Sequence, residues 1–421
     1  MKKTSRSAIE FPGHRRADMR AAPKALVLQG GGALGAYQAG VYEALCGTDY
    51  QPGWIAGVSI GAINAALIAG NPPDKRVERL RAFWELVSSA LAQRWPAWLG
   101  EQASLKQWSA TMAVVAGIPG FFLPRLSPEL LLGGAAPLLS YYDTAPLRQT
   151  LERLVDFDRI NEGDTRFSVG AVNVRTGNSI YFDNTVQRIG PEHIMASGAL
   201  PPGFPPVHIG GDDYWDGGLV SNTPIQYVLD THPGTEPLVV LQVDLFSAHG
   251  LMPKTLSQVM ERQKDITYSS RTRMNTDALA SNMNLQQAIA DLIDKLPAHL
   301  RSDPSVAAVQ AQLTRQPIDI FHLIYRDKPY ELDSKDYEFS RATVEAHWEA
   351  GMRDMRLTLA HPEALRSDVQ SDGVTTFDLC EPGLPRVRRP MGPSSRRPAR
   401  GGESHALTDK VELKLRSKGV L

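Results

Sequence analysis

Cysteine is nearly absent. The 421 residues hold two, Cys46 and Cys380, far apart in the chain. That excludes a disulfide framework and a thiolate metal set, and it fits a reducing, cytoplasmic compartment. Charge of one sign is lacking too. Lys and Arg number 45 against 46 Asp and Glu, a net charge of −1, so the overall charge selects neither nucleic acid nor an acidic membrane as partner. Long apolar runs are missing. No stretch approaches the length of a bilayer-spanning helix, and the best one, residues 110–118, is far too short. The N-terminal residues carry Lys2, Lys3, Arg6, Arg15, Arg16 and Arg20 but no apolar core of the secretory kind. No internal repeat is visible. These absences leave a soluble protein, at most peripheral to a membrane.

What is present is a globular composition, 42% hydrophobic and 22% charged, on a chain long enough for one large α/β domain or two smaller ones. Residues 1–23 read as a flexible basic arm. Residues 24–29 (KALVLQ) form a short apolar run ended by glycines, which predicts a buried parallel strand. A helix follows over 36–45, then a polar turn and a second strand, Trp54-Ile55-Ala56. The spacing of Val77, Leu80, Phe83, Trp84 and Val87 predicts a helix within 74–91. Residues 93–142 break this rhythm. Trp95, Trp98, Trp108, Phe121, Phe122, Leu126 and 130–132 alternate with Pro and Gly, so the segment reads as a cap or insertion. It either makes a small local core or lines an acyl-chain groove, for which amphipathic aromatics are suited.

Further on, helices are expected over 144–155 and 191–200, and hairpins over 166–184 and 207–215. Asn222-Thr223-Pro224 reads as a cap opening a helix over 224–230. Residues 237–246 read as another buried strand. From 253 to 296 the chain is helical and polar; a late strand at 318–326 and a helix at 339–359 follow. Beyond 378, Pro and Arg alternate with little apolar content, which predicts a disordered basic tail. The expected division is therefore an arm at 1–23, a main domain at 24–246, a mainly helical extension at 247–377 and a tail at 378–421.

Chemistry concentrates at Gly57-Val58-Ser59-Ile60-Gly61. A serine between a strand and the small-residue helix of 62–70, flanked by glycines, is the context of a nucleophile elbow. The glycines leave room for a sharp turn, and the helix start aims N–H groups and partial positive charge at the hydroxyl. Upstream, Gly30, Gly32 and Gly35 satisfy the dinucleotide pattern Gly-x-Gly-x-x-Gly. That reading needs an acid at the end of the next strand. Here that strand ends in Ser59, and Asp49 lies before it in a turn. A tight structural turn remains compatible. So does an oxyanion hole, in which the run Gly30-Gly31-Gly32 and Gly35 exposes N–H groups to a tetrahedral intermediate.

A serine needs a base. His232, His249, His299, His322, His347, His361 and His405 follow in the chain, none in a recognisable loop signature. Asp216 is better placed, at the end of a predicted strand and followed by Gly217-Gly218. Desolvated and hydrogen-bonded to the serine, an aspartate can act alone. Asp-Gly is also a common turn pair.

Gly30-Gly31-Gly32-Ala33-Leu34-Gly35, Gly57-Val58-Ser59-Ile60-Gly61 and Asp216-Gly217-Gly218 occur in the order seen in patatin-like phospholipases. Ala196-Ser197-Gly198-Ala199-Leu200-Pro201 also resembles a segment those enzymes carry between serine and aspartate. The resemblance covers roughly residues 25–246, and residues 247 to about 362 look like the C-terminal extension of a bacterial subgroup. It implies a three-layer α/β/α fold with a mainly parallel central sheet. It implies Ser59 as nucleophile, Asp216 as general base and the Gly30–Gly35 loop as oxyanion hole, with no cofactor and no metal. The substrate implied is a phospholipid, lysophospholipid or other acyl ester. Acyl transfer or thioester cleavage at the same pair, and non-catalytic lipid binding, are the alternatives. One departure stands out. Many such enzymes place Arg or Lys just after the glycine run, where this chain has Ala33-Leu34.

Overall fold

The computed structural model describes residues 22–88, 115–125, 139–232, 237–311, 313, 318–326, 338–361, 374–380 and 386–388. The N-terminal arm, most of the 93–142 segment with its three tryptophans, and the chain beyond 388 lie outside the described residues.

The first half runs β1 (Lys24–Leu28), α1 (Gly35–Leu45), β2 (Trp54–Val58), α2 (Ile60–Ala69), α3 (Arg76–Val87), β3 (Leu123–Pro124), β4 (Tyr142–Asp143), α4 (Ala145–Leu154), α5 (Phe157–Glu162), β5 (Arg166–Asn173) and β6 (Ser179–Asp183). Then follow α6 (Pro191–Ser197), β7 (Val207–Ile209), β8 (Asp212–Asp216), α7 (Ile225–Thr231), β9 (Leu238–Asp244) and the long α8 (Leu256–Asp294). Last come α9 (Ala298–Arg301), α10 (Pro304–Gln310), β10 (Ile318–Ile324), α11 (Arg341–Leu359), β11 (Val374–Asp378) and β12 (Arg386–Arg388).

Among the described residues the main sheet has ten strands, ordered β12-β11-β10-β9-β1-β2-β5, with β5 also carrying β6 and β8, and β7 beyond β8. From β11 to β5 the pairing is parallel. β6, β7, β8 and β12 join antiparallel. The short β3 and β4 pair separately.

The central strands are buried on both faces, so their sequences are continuously apolar rather than alternating. Successive side chains still point to opposite sides. Leu26 and Leu28 of β1 and Ile55 of β2 join the core that includes α1, α2, α3 and α11. Ala25, Val27, Trp54 and Ala56 face the other way, with Ile225 and Val228 of α7 and Leu238 and Val240 of β9. Helices thus cover both faces, and the protein has a three-layer α/β/α fold.

α2 is buried over its whole length, as its small and apolar residues on every side require. α1 is held between the sheet and α11. Gly40 and Gly351 let the two helices touch: a Cβ on Gly40 would collide with the Trp348 carbonyl, and one on Gly351 with that of Tyr37.

Two sequence expectations need revision. The segment expected as a helical extension also completes the central sheet, because β10 pairs with β9 along seven residues, Ile318 to Ile324. The tail expected to lack structure supplies β12, which pairs with β11 through Phe377 and Val387. Arg388 and Arg386 alternate with Val387 in β12, a period-two pattern hidden by the surrounding prolines. Phe121 and Phe122, from the expected cap, are buried against Phe204. Phe121 also packs on Phe83 and Phe339, and Phe122 on Tyr142. No helix among the described residues is long and apolar enough to cross a membrane.

Candidate active site

β2 ends at Val58 and α2 begins at Ile60, so Ser59 alone makes the turn. Its φ of 57° and ψ of −124° make it the one non-glycine residue with positive φ among the described residues. Such a conformation costs about 1–3 kcal/mol and persists only where neighbours hold it. Here the Ser59 carbonyl accepts the first bonds of α2, from Ala62 N–H at 2.9 Å and Ile63 N–H at 3.2 Å. The Ser59 N–H donates to Ser197 Oγ at 3.0 Å. The flanking glycines are steric necessities. A Cβ on Gly57 would lie 2.6 Å from the Ala62 nitrogen, and one on Gly61 would lie 2.8 Å from the carbonyl carbon of Leu28.

Asp216 arrives at the same point from the opposite direction. β2 runs along β5 as far as Val58 beside Gly170. β6 occupies the far edge of β5 across Ser168 to Val172. β8 therefore shares the edge with β2, beginning where β2 stops: Asp216 pairs with Ala171, the next residue along. Two strands meeting end to end on one edge bring Ser59 and Asp216 together from 157 positions apart in sequence.

The Asp216 carboxyl is only 3% exposed. It accepts a hydrogen bond from Gly218 N–H at 2.7 Å, and the neighbouring Ser59 side chain favours its ionised form. Burial pushes its pKa up to about 6, and the Ser59 side chain and the Gly218 N–H hold it down against that pressure. Among the described residues no histidine or cation is one of the groups that set it.

The glycine loop after β1 lies beside this pair. A Cβ on Gly30 would lie 3.0 Å from the Ser59 Cβ and would collide with Asn222 Oδ1. Asn222 grips Gly30 from both sides: the Gly30 N–H donates to the Asn222 carbonyl at 3.1 Å, and Asn222 Nδ2 donates to the Gly30 carbonyl at 2.9 Å. The Gly30 N–H, expected among the oxyanion donors, is thus committed elsewhere. The Gly35 N–H is also occupied, by the carbonyls of Gly32 and Ala33 at the start of α1. Of the four glycines expected there, Gly31 and Gly32 keep the N–H groups that can serve. Gly32 needs to be glycine for its φ of 56°, and Gly31 packs against Leu245 and Phe246.

Gln29 fixes the loop from below. Its Nε2 donates to Thr223 Oγ1 at 3.0 Å, and its Oε1 accepts from Leu245 N–H at 2.6 Å and Phe246 N–H at 3.2 Å. Asp244 lies beneath, pushed up to about 7 by burial and eased by hydrogen bonds from Gln242 and Thr223.

The pattern Asn222-Thr223-Pro224 predicts a helix cap. Instead α7 starts at Ile225, and both side chains turn back to the glycine loop and its anchor. Asx and Thr before Pro is the same local pattern for either role, so only the tertiary contact separates them. Among the described residues no group of three or more His, Cys, Asp or Glu side chains could hold a metal ion.

Fold and site together define an α/β protein with a strained serine facing a buried carboxyl beneath a glycine loop. The family model for patatin-like phospholipases matches residues 26–229, and a second, for a patatin phospholipase domain, matches 266–371. The chain belongs to the patatin-like phospholipase family. No curated protein matches it by sequence.

Similar solved structures include VipD from Legionella pneumophila, 13% identical with a TM-score of 0.35, the match covering 82% of this chain and 66% of VipD. Human GIVD cytosolic phospholipase A2 is 13% identical with a TM-score of 0.28, over 53% of this chain and 43% of that one. ExoU of Pseudomonas aeruginosa, in complex with SpcU, is 13% identical with a TM-score of 0.28, over 82% and 79% of the two chains. The chain therefore spans just under two thirds of VipD and less than half of the human protein.

Proposed function

We propose that the protein is a serine acyl hydrolase that cleaves fatty-acyl ester bonds of phospholipids, lysophospholipids or related lipids through Ser59 and Asp216. The observation that carries this reading is a serine strained at a strand-to-helix turn whose side chain acts on a buried carboxyl with its pKa pushed up to about 6. A base with that pKa is ionised at neutral pH yet still basic enough to take a proton in the transition state.

In the first half-reaction Asp216 takes the Ser59 proton while Oγ bonds to the ester carbonyl carbon. The carbonyl oxygen becomes an oxyanion, stabilised by the N–H groups of Gly31 and Gly32 and of Ile60 at the start of α2. Collapse breaks the bond to the alcohol, which leaves with the proton held by Asp216. In the second, water adds to the acyl-enzyme, giving its proton to Asp216. The fatty acid departs and the proton returns to Ser59. One carboxylate serves both halves, and the chemistry needs only this chain's groups and water. The cation absent after the glycine run leaves the N–H donors to carry the oxyanion; each is typically worth about 10²–10³ in rate.

A fluorophosphonate probe tests the reading. A single adduct on Ser59, lost in Ser59→Ala and strongly slowed in Asp216→Asn, together with fatty-acid release from lysophosphatidylcholine, is the expected result. Folded protein that takes no adduct and releases no fatty acid would sink it. Release from acyl-CoA but not from lysophospholipid would move the substrate to thioesters.

A further inference from the structure

The Ala196–Pro201 motif has no role in the steps above, yet it touches both reacting residues. Ser197, at the end of α6, is fully buried. Its Oγ accepts from the Ser59 N–H at 3.0 Å and donates to the Gly170 carbonyl at 2.6 Å. Two residues later, the Ala199 carbonyl accepts from the Asp216 N–H at 3.0 Å.

The geometry is that of a spacer in the sheet. Gly170 is where β2 stops along β5. The Ser197 hydroxyl stands between the Ser59 N–H and the Gly170 carbonyl, and relays one hydrogen bond across the gap between them. The β2–β5 ladder gains a final rung while Ser59 swings into its positive-φ conformation. The same Gly170 carbonyl seats the residue after Asp216, since a Cβ on Gly217 would lie 2.6 Å from it. A three-residue segment, Ser197-Gly198-Ala199, thus holds the backbone of Ser59 by its first residue and that of Asp216 by its last.

We propose that Ser197 is a positioning residue that, with the Ala199 carbonyl, sets the separation and alignment of Ser59 and Asp216. The proposal rests on the reading of those two as the reacting pair. A hydroxyl suits the task because it accepts and donates at once. Alanine would leave the Ser59 N–H and the buried Gly170 carbonyl without their partner, and Ser59 would relax from its strained turn. Small misplacement of reacting groups costs about a hundredfold in rate. Binding surfaces are untouched, so the loss falls on kcat.

The test compares the parent with Ser197→Ala, Ser197→Cys and Ser168→Ala. Cysteine keeps the volume but offers only a weak donor and acceptor, so it reads the hydrogen bond should alanine fail to fold. Ser168 is as buried as Ser197, on the same strand as Gly170, and bonds to Asp183 at 2.7 Å and Trp54 at 2.9 Å; it controls for loss of a buried hydroxyl alone.

With a soluble 4-nitrophenyl ester, both Ser197 variants should lose about a hundredfold in kcat, with KM within threefold and a matching loss in the rate of fluorophosphonate labelling. The acidic limb of the kcat/KM profile should move to higher pH, because a displaced Ser59 side chain no longer lowers the pKa of Asp216. Ser168→Ala should show neither change. Amide hydrogen exchange supplies a readout independent of activity: peptides covering 55–61 and 212–218 should both exchange faster in the Ser197 variants and not in the control. If the parent is inert towards ester and probe, the hydrolase reading fails, while the exchange result still decides whether Ser197 holds both strand ends. Unchanged exchange at both peptides, parental kcat in the Ser197 variants, or equal losses in Ser168→Ala would each overturn the proposal.

Discussion

Asp216→Asn should slow the enzyme and stabilise the fold, and the stabilisation should depend on pH. An ordinary aspartate has a pKa of 3.8, and burial raises that of Asp216 to about 6. Between those values the folded protein binds a proton that the unfolded chain has released, so stability falls as pH rises. The contribution is fully present below 3.8 and fully lost above about 6. At about 1.4 kcal/mol per pH unit, a displacement of roughly two units is worth ~3 kcal/mol.

Asparagine cannot ionise. Its Oδ1 can still accept from Gly218 N–H, and its Nδ2 can donate to Ser59. Urea denaturation of parent and variant at fixed pH values from 4 to 8 is the assay. The stability difference, variant minus parent, should grow by ~3 kcal/mol across that range, most of it between pH 4 and 6. Asp244 titrates in both proteins and cancels in the difference. Ester hydrolysis by the variant should fall by about 10²–10⁴ with removal of the base, and the parent's activity should rise with pH through about 6. A stability difference that stays constant from pH 4 to 8 would refute the argument that burial without a countercharge governs this carboxyl.

Three further substitutions probe the surroundings. Gly30→Ala forces a methyl into Asn222 and the Ser59 Cβ; it should cost about 1–3 kcal/mol in urea denaturation and at least a hundredfold or so in kcat. Gln29→Leu removes the acceptor from the buried Leu245 and Phe246 N–H groups and takes one hydrogen bond from Thr223. A loss of about 2–5 kcal/mol is expected, with faster amide exchange at 245–246. Asp244→Asn should stabilise the protein above pH 7, because the folded carboxyl, held at about 7 by burial, withholds stability that is present at low pH and fades as pH rises through that value. Unchanged denaturation midpoints at pH 8 would contradict it.

Much of the framework was legible because parallel α/β folds write themselves in blocks. β1, β2 and β9 are short apolar runs bounded by glycine, proline or polar residues, and α1 and α2 are small-residue segments no surface helix would use. The sharp turn at Ser59 was legible because a serine between glycines, set between a strand and a small-residue helix, leaves the chain room to turn there. The strand end at Asp216 was legible from the glycines after it, but Asp-Gly alone reads equally as a turn, and only the resemblance singled out the carboxylate. Other features left weaker traces. β11 and β12 lie in stretches whose prolines and polar residues resemble linker. Asn222 carries the same local pattern as a cap. The N–H groups of Gly30 and Gly35 look as free as those of Gly31 and Gly32, since a glycine run does not show which of its donors are already bonded.

The chain order of residues therefore settled which local elements form and which side chains are equipped for chemistry, because periodicity, glycine placement and strand-end chemistry act within a few residues. Tertiary structure alone decided that β2 and β8 meet end to end on one edge of β5. It likewise decided that Asp216 is dry enough to hold its proton to about pH 6, that Asn222 removes Gly30 from the available donors, and that Ser197 spans the gap beside Ser59. Each of these depends on groups distant in sequence being brought within hydrogen-bond reach and out of water, and desolvation and strand pairing are properties of the packed sheet.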